Sequence, residues 1–373
     1  MAQDKIRKAC IRIPAEWESH ECCWMAWAVH REWSARDAAR IKRDLTKVVH
    51  AIARFEPVRL LAPRGRAFRE ASEHFVDCST VTVIEAPVDD FWMRDVMPTF
   101  AIHADRGQRQ VVAIDWNFNG WGGTPERAAR AGDQLAISAA SIFGVPRVET
   151  SFVAEGGALA FDGRGTLITT RSCLLNPNRN PLRGEADRQL AIASEFKKLG
   201  IHKTIWLEGD ISEPITSGHI DGYVLCAPGN KVLVEAVDDP DGEPPFWREH
   251  DIHLLKNARA VHRRKLRVER VLAPRRQYLK GDPASFAANY LNAYIANGAV
   301  IGSLFGDSER DELAAKALAN AFPGREIILL RIDAIVAGGG GVHCLTQPMP
   351  CVGSMPNYGK SGEQPVGSRA SRN

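Results

Sequence analysis

The chain has 373 residues, 45% apolar and 25% charged, with a formal net charge of +3. That is an ordinary soluble globular composition. The charge is too small for a dedicated nucleic-acid surface, no apolar run approaches the ~18 residues of a membrane span, and the first sixteen residues lack a signal peptide's apolar core. Eight cysteines, at 10, 22, 23, 78, 173, 226, 344 and 351, form no CxxC pair. This spacing suits neither a zinc site nor a disulfide framework, so no metal is expected and the default setting is the reducing cytoplasm.

In chain order, Cys22-Cys23 with Trp24 and Trp27 read as core. A helical period covers 35–54, and strand-like runs follow at 58–61, 81–84 and 111–114. Further helical periods lie at 127–143, 185–199, 247–258, 284–293 and 311–321, with strands at 166–170, 232–234, 300–304 and 327–332. The acidic stretch 238–245 reads as a surface loop, and the basic run 259–270 as a solvated helix end and loop. Strands outnumber helices in places, so the α/β pattern does not fit a simple doubly wound sheet. No interdomain linker is visible. Residues 1–352 read as one catalytic domain and 353–373, rich in Gly, Ser and Arg, as a disordered tail.

Four islands carry chemistry. Asp89-Asp90-Phe91-Trp92-Met93-Arg94-Asp95 sets acids beside aromatics. Glu155-Gly156-Gly157 sets an acid before two glycines, and Ser217-Gly218-His219-Ile220-Asp221-Gly222 puts an imidazole and a carboxylate on one turn. The run Gly338-Gly339-Gly340-Gly341-Val342-His343-Cys344 ends a glycine quartet on a thiol. Glycines there let a backbone approach a ligand closely. Singly, each island also reads as structure: a turn, a loop, an Arg94–Asp95 ion pair, a buried cysteine. Together they supply one soft nucleophile, one imidazole and several carboxylates, with no serine nucleophile elbow and no P-loop. That inventory suits attack on a cationic carbon centre, because carboxylates hold a guanidinium through paired charge-assisted hydrogen bonds.

The islands sit among longer matches: Pro14-Ala15-Glu16-Trp17-Glu18-Ser19-His20-Glu21, Pro98-Thr99-Phe100, Asp115-Trp116-Asn117-Phe118-Asn119-Gly120-Trp121-Gly122-Gly123, Asn176-Pro177-Asn178-Arg179-Asn180-Pro181 and Tyr294-Ile295-Ala296-Asn297-Gly298. In this order, over residues 12–351, the chain resembles the agmatine deiminase family of guanidino-group-modifying enzymes. The resemblance implies a pentein fold: a five-bladed pseudo-symmetric α/β propeller of ββαβ-type units around a central site. It implies Cys344 as nucleophile, with His219 protonating the leaving ammonia and then activating water. Asp95 and Asp221 would hold the guanidinium, with Glu155 holding it too or orienting His219. Asp89, Asp90 and Glu213 are candidates for the far end of the substrate, with Trp92 or Trp121 as walls. A thiolate beside a charged His219 would have a lowered pKa. His343, one residue from the thiol on what reads as an extended strand, should point to the opposite face and be structural.

The implied reaction is hydrolysis of agmatine to N-carbamoylputrescine and ammonia through a Cys-thiouronium, without metal or organic cofactor. The expected partner is a small cationic guanidine, with no nucleic acid and no membrane; self-association is left open. The chain departs from the family pattern at Val96-Met97, Ser217, Gly222 and Gly341, and in a shorter stretch after Gly123. None of these removes a catalytic group. Deimination of arginine or another guanidine, amidino transfer to an amine, and an inactive guanidine-binding protein are the competing readings.

Overall fold

Five small sheets organise the described residues of this computed structural model. It describes residues 10–353 except 31–32, 124–134, 182–183, 239–244 and 281–285. The expected tail, the 238–245 loop and much of the 127–143 segment therefore lie outside the described residues.

Each sheet follows one plan: two antiparallel strands, a helix, and a third strand parallel to the second. In the first blade Thr99–Asp105 pairs antiparallel with Gln108–Asp115, and Arg147–Glu149 returns parallel. Cys10–Arg12 adds an outer antiparallel strand. The second blade has Ala160–Phe161, Thr166–Thr170 and Lys203–Leu207. The third has Val224–Ala227, Lys231–Ala236 and Arg267–Leu272, and the fourth Tyr294–Ile295, Ala299–Ser303 and Glu326–Leu330. The fifth takes Gln347–Pro350 from the end of the described chain and pairs it with His20–Ala26, which leads to Val58–Ala62 and Val81–Glu85. This last pairing joins the two ends of the fold, and the expected five-bladed α/β propeller is what the chain forms.

The helices follow their apolar periods. Ala35–Ala53 buries Ile41, Leu45, Val48, Val49 and Ile52 on one face. Its N-terminus is capped by Ser34 Oγ, which accepts from the Asp37 amide. Glu185–Lys198, Phe246–Asn257 and Ser308–Ala321 lie within three residues of their expected starts. Cys22, Cys23, Trp24 and Trp27 are buried as core.

Three expectations are corrected. No helix forms in the described part of 284–293; residues 286–293 run irregularly into the strand Tyr294–Ile295. Side chains there bond outward instead of along a helix: Asn289 Oδ1 accepts from the Leu291 amide, and Tyr290 donates to Asp311. Part of the basic run is the strand Arg267–Leu272, paired parallel to its neighbour. His343 and Cys344 lie on a 3₁₀ turn, His343–Leu345, not on a strand.

Candidate active site

Every blade is preceded by a short turn, and these turns carry the site. Met93–Val96 bears Asp95 ahead of the first blade, and Glu155 caps Gly156–Ala158 ahead of the second. His219 caps Ile220–Gly222, which bears Asp221, ahead of the third. Asn292 lies two residues before the fourth blade's first strand, and the turn His343–Leu345 bears Cys344 ahead of the fifth. The propeller thus brings five segments, separated by up to 249 positions of chain, to one centre.

The contacts join them into one network. Asn292 Nδ2 donates to Cys344 Sγ at 3.1 Å, and its Oδ1 accepts from the Gly341 amide at 3.1 Å and the Cys344 amide at 3.3 Å. Cys344 Sγ lies 3.5 Å from Asp221 Oδ2. Asp95 accepts from the Gly157 amide and the Trp121 indole, both at 2.9 Å. His219 Nδ1 is 3.8 Å from Asp95 Oδ2 and 3.9 Å from Asp221 Oδ1. Its Nε2 is 3.7 Å from Glu155 Oε2. Glu155 Oε1 in turn accepts from Arg179 Nε at 2.9 Å, and both side chains are fully buried.

Gly157 marks the meeting point. A methyl group at its Cα would fall 2.5 Å from His219 Nδ1, 2.9 Å from Asp95 Oδ1 and 3.0 Å from Asp221 Oδ2. Gly340 does the same on the other side, where a Cβ would lie 2.5 Å from the Trp92 ring and 3.1 Å from Cys344 Cβ. Trp92 thus flanks the cysteine.

The charges follow from this geometry. Burial disfavours a charged His219, but the Asp95 and Glu155 carboxylates outweigh it and hold the imidazole pKa well above its ordinary value. Burial also opposes charge on Asp221 and Glu155. His343 and His219 keep Asp221 below the usual carboxylate range, and His219 and Arg179 do so for Glu155. Asp95 moves up, because burial and two neighbouring carboxylates overcome His219. Burial, then Asp221 and Asp95, push the Cys344 thiol well above its ordinary value. This corrects the expected lowered thiol pKa: burial and the two carboxylates outweigh the bonds from Gly341 and Asn292.

His343 is corrected as well. Its Nδ1 lies 2.8 Å from Asp221 Oδ2 and its Nε2 2.8 Å from Glu16 Oε1. Arg94 donates to the same Glu16 oxygen at 2.8 Å and to the His343 carbonyl at 3.3 Å. His343 is therefore wired to the site through Asp221. Arg94 pairs with Glu16, not with its neighbour Asp95. A small pocket lined by Glu16, His20, Arg94, Gly156 and Gln347 lies beside this chain of charges and is not lined by Cys344.

Other expected residues vary in fit. Asp89 is half-buried and makes no hydrogen bond or ion pair among the described residues. Asp90 is buried and accepts from its own Phe91 amide. Glu213 spends its carboxylate on the amides of Ile215, Thr216 and Gly218 and on the Thr216 hydroxyl, so it holds its own loop. Of the departures, Met97 is buried core and Ser217 Oγ accepts from Arg179. A Cβ at Gly222 would meet open space, and one at Gly341 would lie 2.8 Å from Asn292 Oδ1.

Asn292, Arg179 and Glu16 were not singled out in the sequence. Arg179 and Glu16 lie within motifs that carried the resemblance, and that was their signal; Asn292 was hidden by the helical period. No metal-ligand spacing was visible either, yet the fold brings ligand atoms of Glu155, Cys173 and His219 within 4.8 Å of one another.

Comparison with known proteins gives the chain's relatives. Residues 12–350 match the model of the Porphyromonas-type peptidyl-arginine deiminase family. The chain is 33% identical to an agmatine deiminase of Medicago truncatula, over 91% of this chain and 96% of that one. It is 34% identical to an agmatine deiminase of Pseudomonas aeruginosa, over 91% and 95%. The solved agmatine deiminase of Enterococcus faecalis superposes with a TM-score of 0.80 at 27% identity, over 91% of this chain and 96% of that one.

Proposed function

This chain belongs to the Porphyromonas-type peptidyl-arginine deiminase family, and we propose that it hydrolyses agmatine to N-carbamoylputrescine and ammonia. The observation that carries the reading is the convergence at Gly157. Asp95, Asp221 and His219 crowd against the Gly157 backbone from two other segments of chain, and the Cys344 thiol lies 3.5 Å from Asp221. A planar cation paired with these two carboxylates would present its carbon to the sulfur beside Asp221.

The steps follow from the charges. In the free protein burial and the two carboxylates keep the thiol protonated. A guanidinium bound between Asp95 and Asp221 cancels their field at the sulfur, so substrate binding favours the thiolate and the thiol proton is released to solvent. The Asn292 amide N–H stabilises that thiolate. Sulfur attacks the guanidinium carbon and gives a tetrahedral adduct. His219, held charged by its acids, donates a proton to the departing nitrogen, and ammonia leaves. The carbon is then bound to Cys344 as a thiouronium, which divides one difficult hydrolysis into two easier steps. Water attacks next, His219 takes its proton, the C–S bond breaks and the ureido product departs. Glu155 acts as the orienter of His219: one of its oxygens is occupied by Arg179 and the other faces Nε2. His343 and Glu16 act as positioning residues that keep Asp221 ionised and fixed.

All eight cysteines are free, which suits a reducing compartment and a cytoplasmic enzyme. Among the described residues no helix is long and apolar enough to cross a membrane. The deciding test incubates the purified protein with a panel of guanidines and measures ammonia and ureido product together. One ammonia per ureido product is expected. Loss of the ureido product in favour of an amidinated amine, when an acceptor amine is added, would replace hydrolysis by amidino transfer.

A further inference from the structure

Cys173 takes no part in the chemistry above, yet it stands directly behind it. It lies in the short helix Arg171–Leu174, fully buried, with its Sγ 3.8 Å from Glu155 Oε2. His219 Nε2 approaches the same oxygen at 3.7 Å. Glu155 divides its two oxygens: Oε1 belongs to Arg179, while Oε2 faces the thiol and the imidazole. His219 Nε2 is buried and has no hydrogen-bond partner among the described residues. One thiol, one imidazole nitrogen and one carboxylate oxygen thus converge within 4.8 Å, with a polar atom left unmatched between them. This ligand set is that of Zn²⁺, whose tetrahedral bonds of about 2.0–2.3 Å place neighbouring ligand atoms roughly 3.3–3.8 Å apart. The two separations to Glu155 Oε2 already fall there.

We propose that Glu155, Cys173 and His219 form an inhibitory site for Zn²⁺, which switches the enzyme off by binding His219 on the side away from the substrate. Charge balances without a new counter-ion. Zn²⁺ enters, one proton leaves Cys173 and one leaves the His219 imidazolium, and no electron is transferred. The total charge of the buried cluster is unchanged. A hard cation such as Mg²⁺ seeks six oxygen ligands and finds one free carboxylate oxygen here, so it does not compete. With Nε2 on zinc, the remaining Nδ1–H stays fixed toward Asp95 and Asp221. The imidazole then cannot cycle between charged and neutral forms. The substrate side of the ring stays open, so zinc lowers kcat more than it raises KM. Inhibition rests on the deiminase reading; zinc binding does not.

The test uses the full chain freed of metal, titrated with ZnCl₂ by calorimetry and by activity, for the wild type, Cys173→Ala and Cys344→Ala. One equivalent of Zn²⁺ should bind the wild type and Cys344→Ala alike, with sulfur in the metal's first shell by zinc-edge X-ray absorption. Cys173→Ala should keep turnover within about threefold without zinc and need at least tenfold more zinc for half-inhibition. MgCl₂ should do nothing at the same concentration. If Cys173→Ala does not fold, the stoichiometry and sulfur ligation measured on Cys344→Ala decide. Zinc sensitivity unchanged in Cys173→Ala, loss of zinc binding in Cys344→Ala, a shell without sulfur, or no binding at all would overturn the site. Zinc bound as expected in a protein that acts on no guanidine would keep the site and discard the deiminase reading.

Discussion

At the scale of single residues, the thiol is faced by two carboxylates and the imidazole by three, so each group's charge is set by its neighbours. Cys344→Ser should abolish turnover while the folded protein persists, because a hydroxyl in this negative field is a far poorer nucleophile than a thiolate; product assay and thermal melting check both halves. His219→Asn should slow ammonia release and hydrolysis alike, by roughly 10²–10⁴-fold. Glu16 tests the positioning chain by pH. Burial opposes its charge, but Arg94 and His343 hold its pKa down from 4.5 to about 2. A carboxyl whose folded pKa lies below its unfolded value stabilises the fold above the unfolded pKa, and that stability is lost as pH falls through the folded one. The window is therefore pH 4.5 down to about 2. Glu16→Gln should cost about 3 kcal/mol at pH 7, lose most of that cost near pH 2, and flatten the acid limb in urea unfolding. An unchanged limb would remove Glu16 from the network. The proposed nucleophile, imidazole and acids, which the fold brings together, stood out in the sequence because each lay in a motif beside glycine or an aromatic. The role of His343 was not, because it follows from a 3₁₀ turn that the apolar run disguised as a strand.

At the scale of elements, two adjacent glycines in one turn have different duties. A Cβ at Gly156 would lie 2.1 Å from the Arg94 carbonyl oxygen, a backbone atom that cannot step aside. Gly156→Ala should therefore destabilise the whole protein by about 1–3 kcal/mol, as overpacking does. A Cβ at Gly157 meets His219, Asp95 and Asp221 side chains instead. Gly157→Ala should fold with a nearly unchanged melting temperature and lose about 10²-fold or more in kcat/KM, the cost of displacing reacting groups by about 1 Å. If Gly157→Ala turned over normally, the side chains packed against Gly157 would not be the reacting groups. Seven of the seventeen described strands and four of the helices were legible from their apolar periods; the strands at the start of each blade were not. The segment before the fourth blade was not. Its apolar spacing imitates a helix, but Asn292 spends its amide on the Gly341 and Cys344 amides and the Cys344 sulfur. Such long-range polar bonds leave no local signature, and they are why Gly341 leaves room where a side chain would collide with Asn292.

At the scale of the whole molecule, the alternation of strands and helices fixed the class but not the closure. Pairing Gln347–Pro350 with His20–Ala26 spans nearly the full described chain, and no local pattern announces it; the five-bladed expectation came from the resemblance. Closure sets the Asp89–Asp95 segment and the Gly338–Cys344 segment side by side, and so decides which substrate fits. Trp92 flanks Cys344 across Gly340, and Asp89, three residues before it, has no partner among the described residues. Agmatine ends in an ammonium, which a free carboxylate and an aromatic face both attract. Arginine adds a carboxylate that needs a cation. Arg94 is engaged by Glu16 and the His343 carbonyl, and Arg179 by Glu155, Asn178, Ser217 and Thr216. An acid at the far end would therefore repel arginine, while these two buried arginines stay occupied elsewhere. Agmatine should be preferred over arginine by at least tenfold in kcat/KM, about 1.4 kcal/mol of transition-state discrimination. Asp89→Asn should raise KM for agmatine by about tenfold with kcat within about threefold, the pattern of lost uniform binding, and should narrow the gap to arginine. Equal kcat/KM values for the two substrates in the wild type would reject the acidic far end. An agmatine preference that survives Asp89→Asn would move the ammonium anchor to another residue.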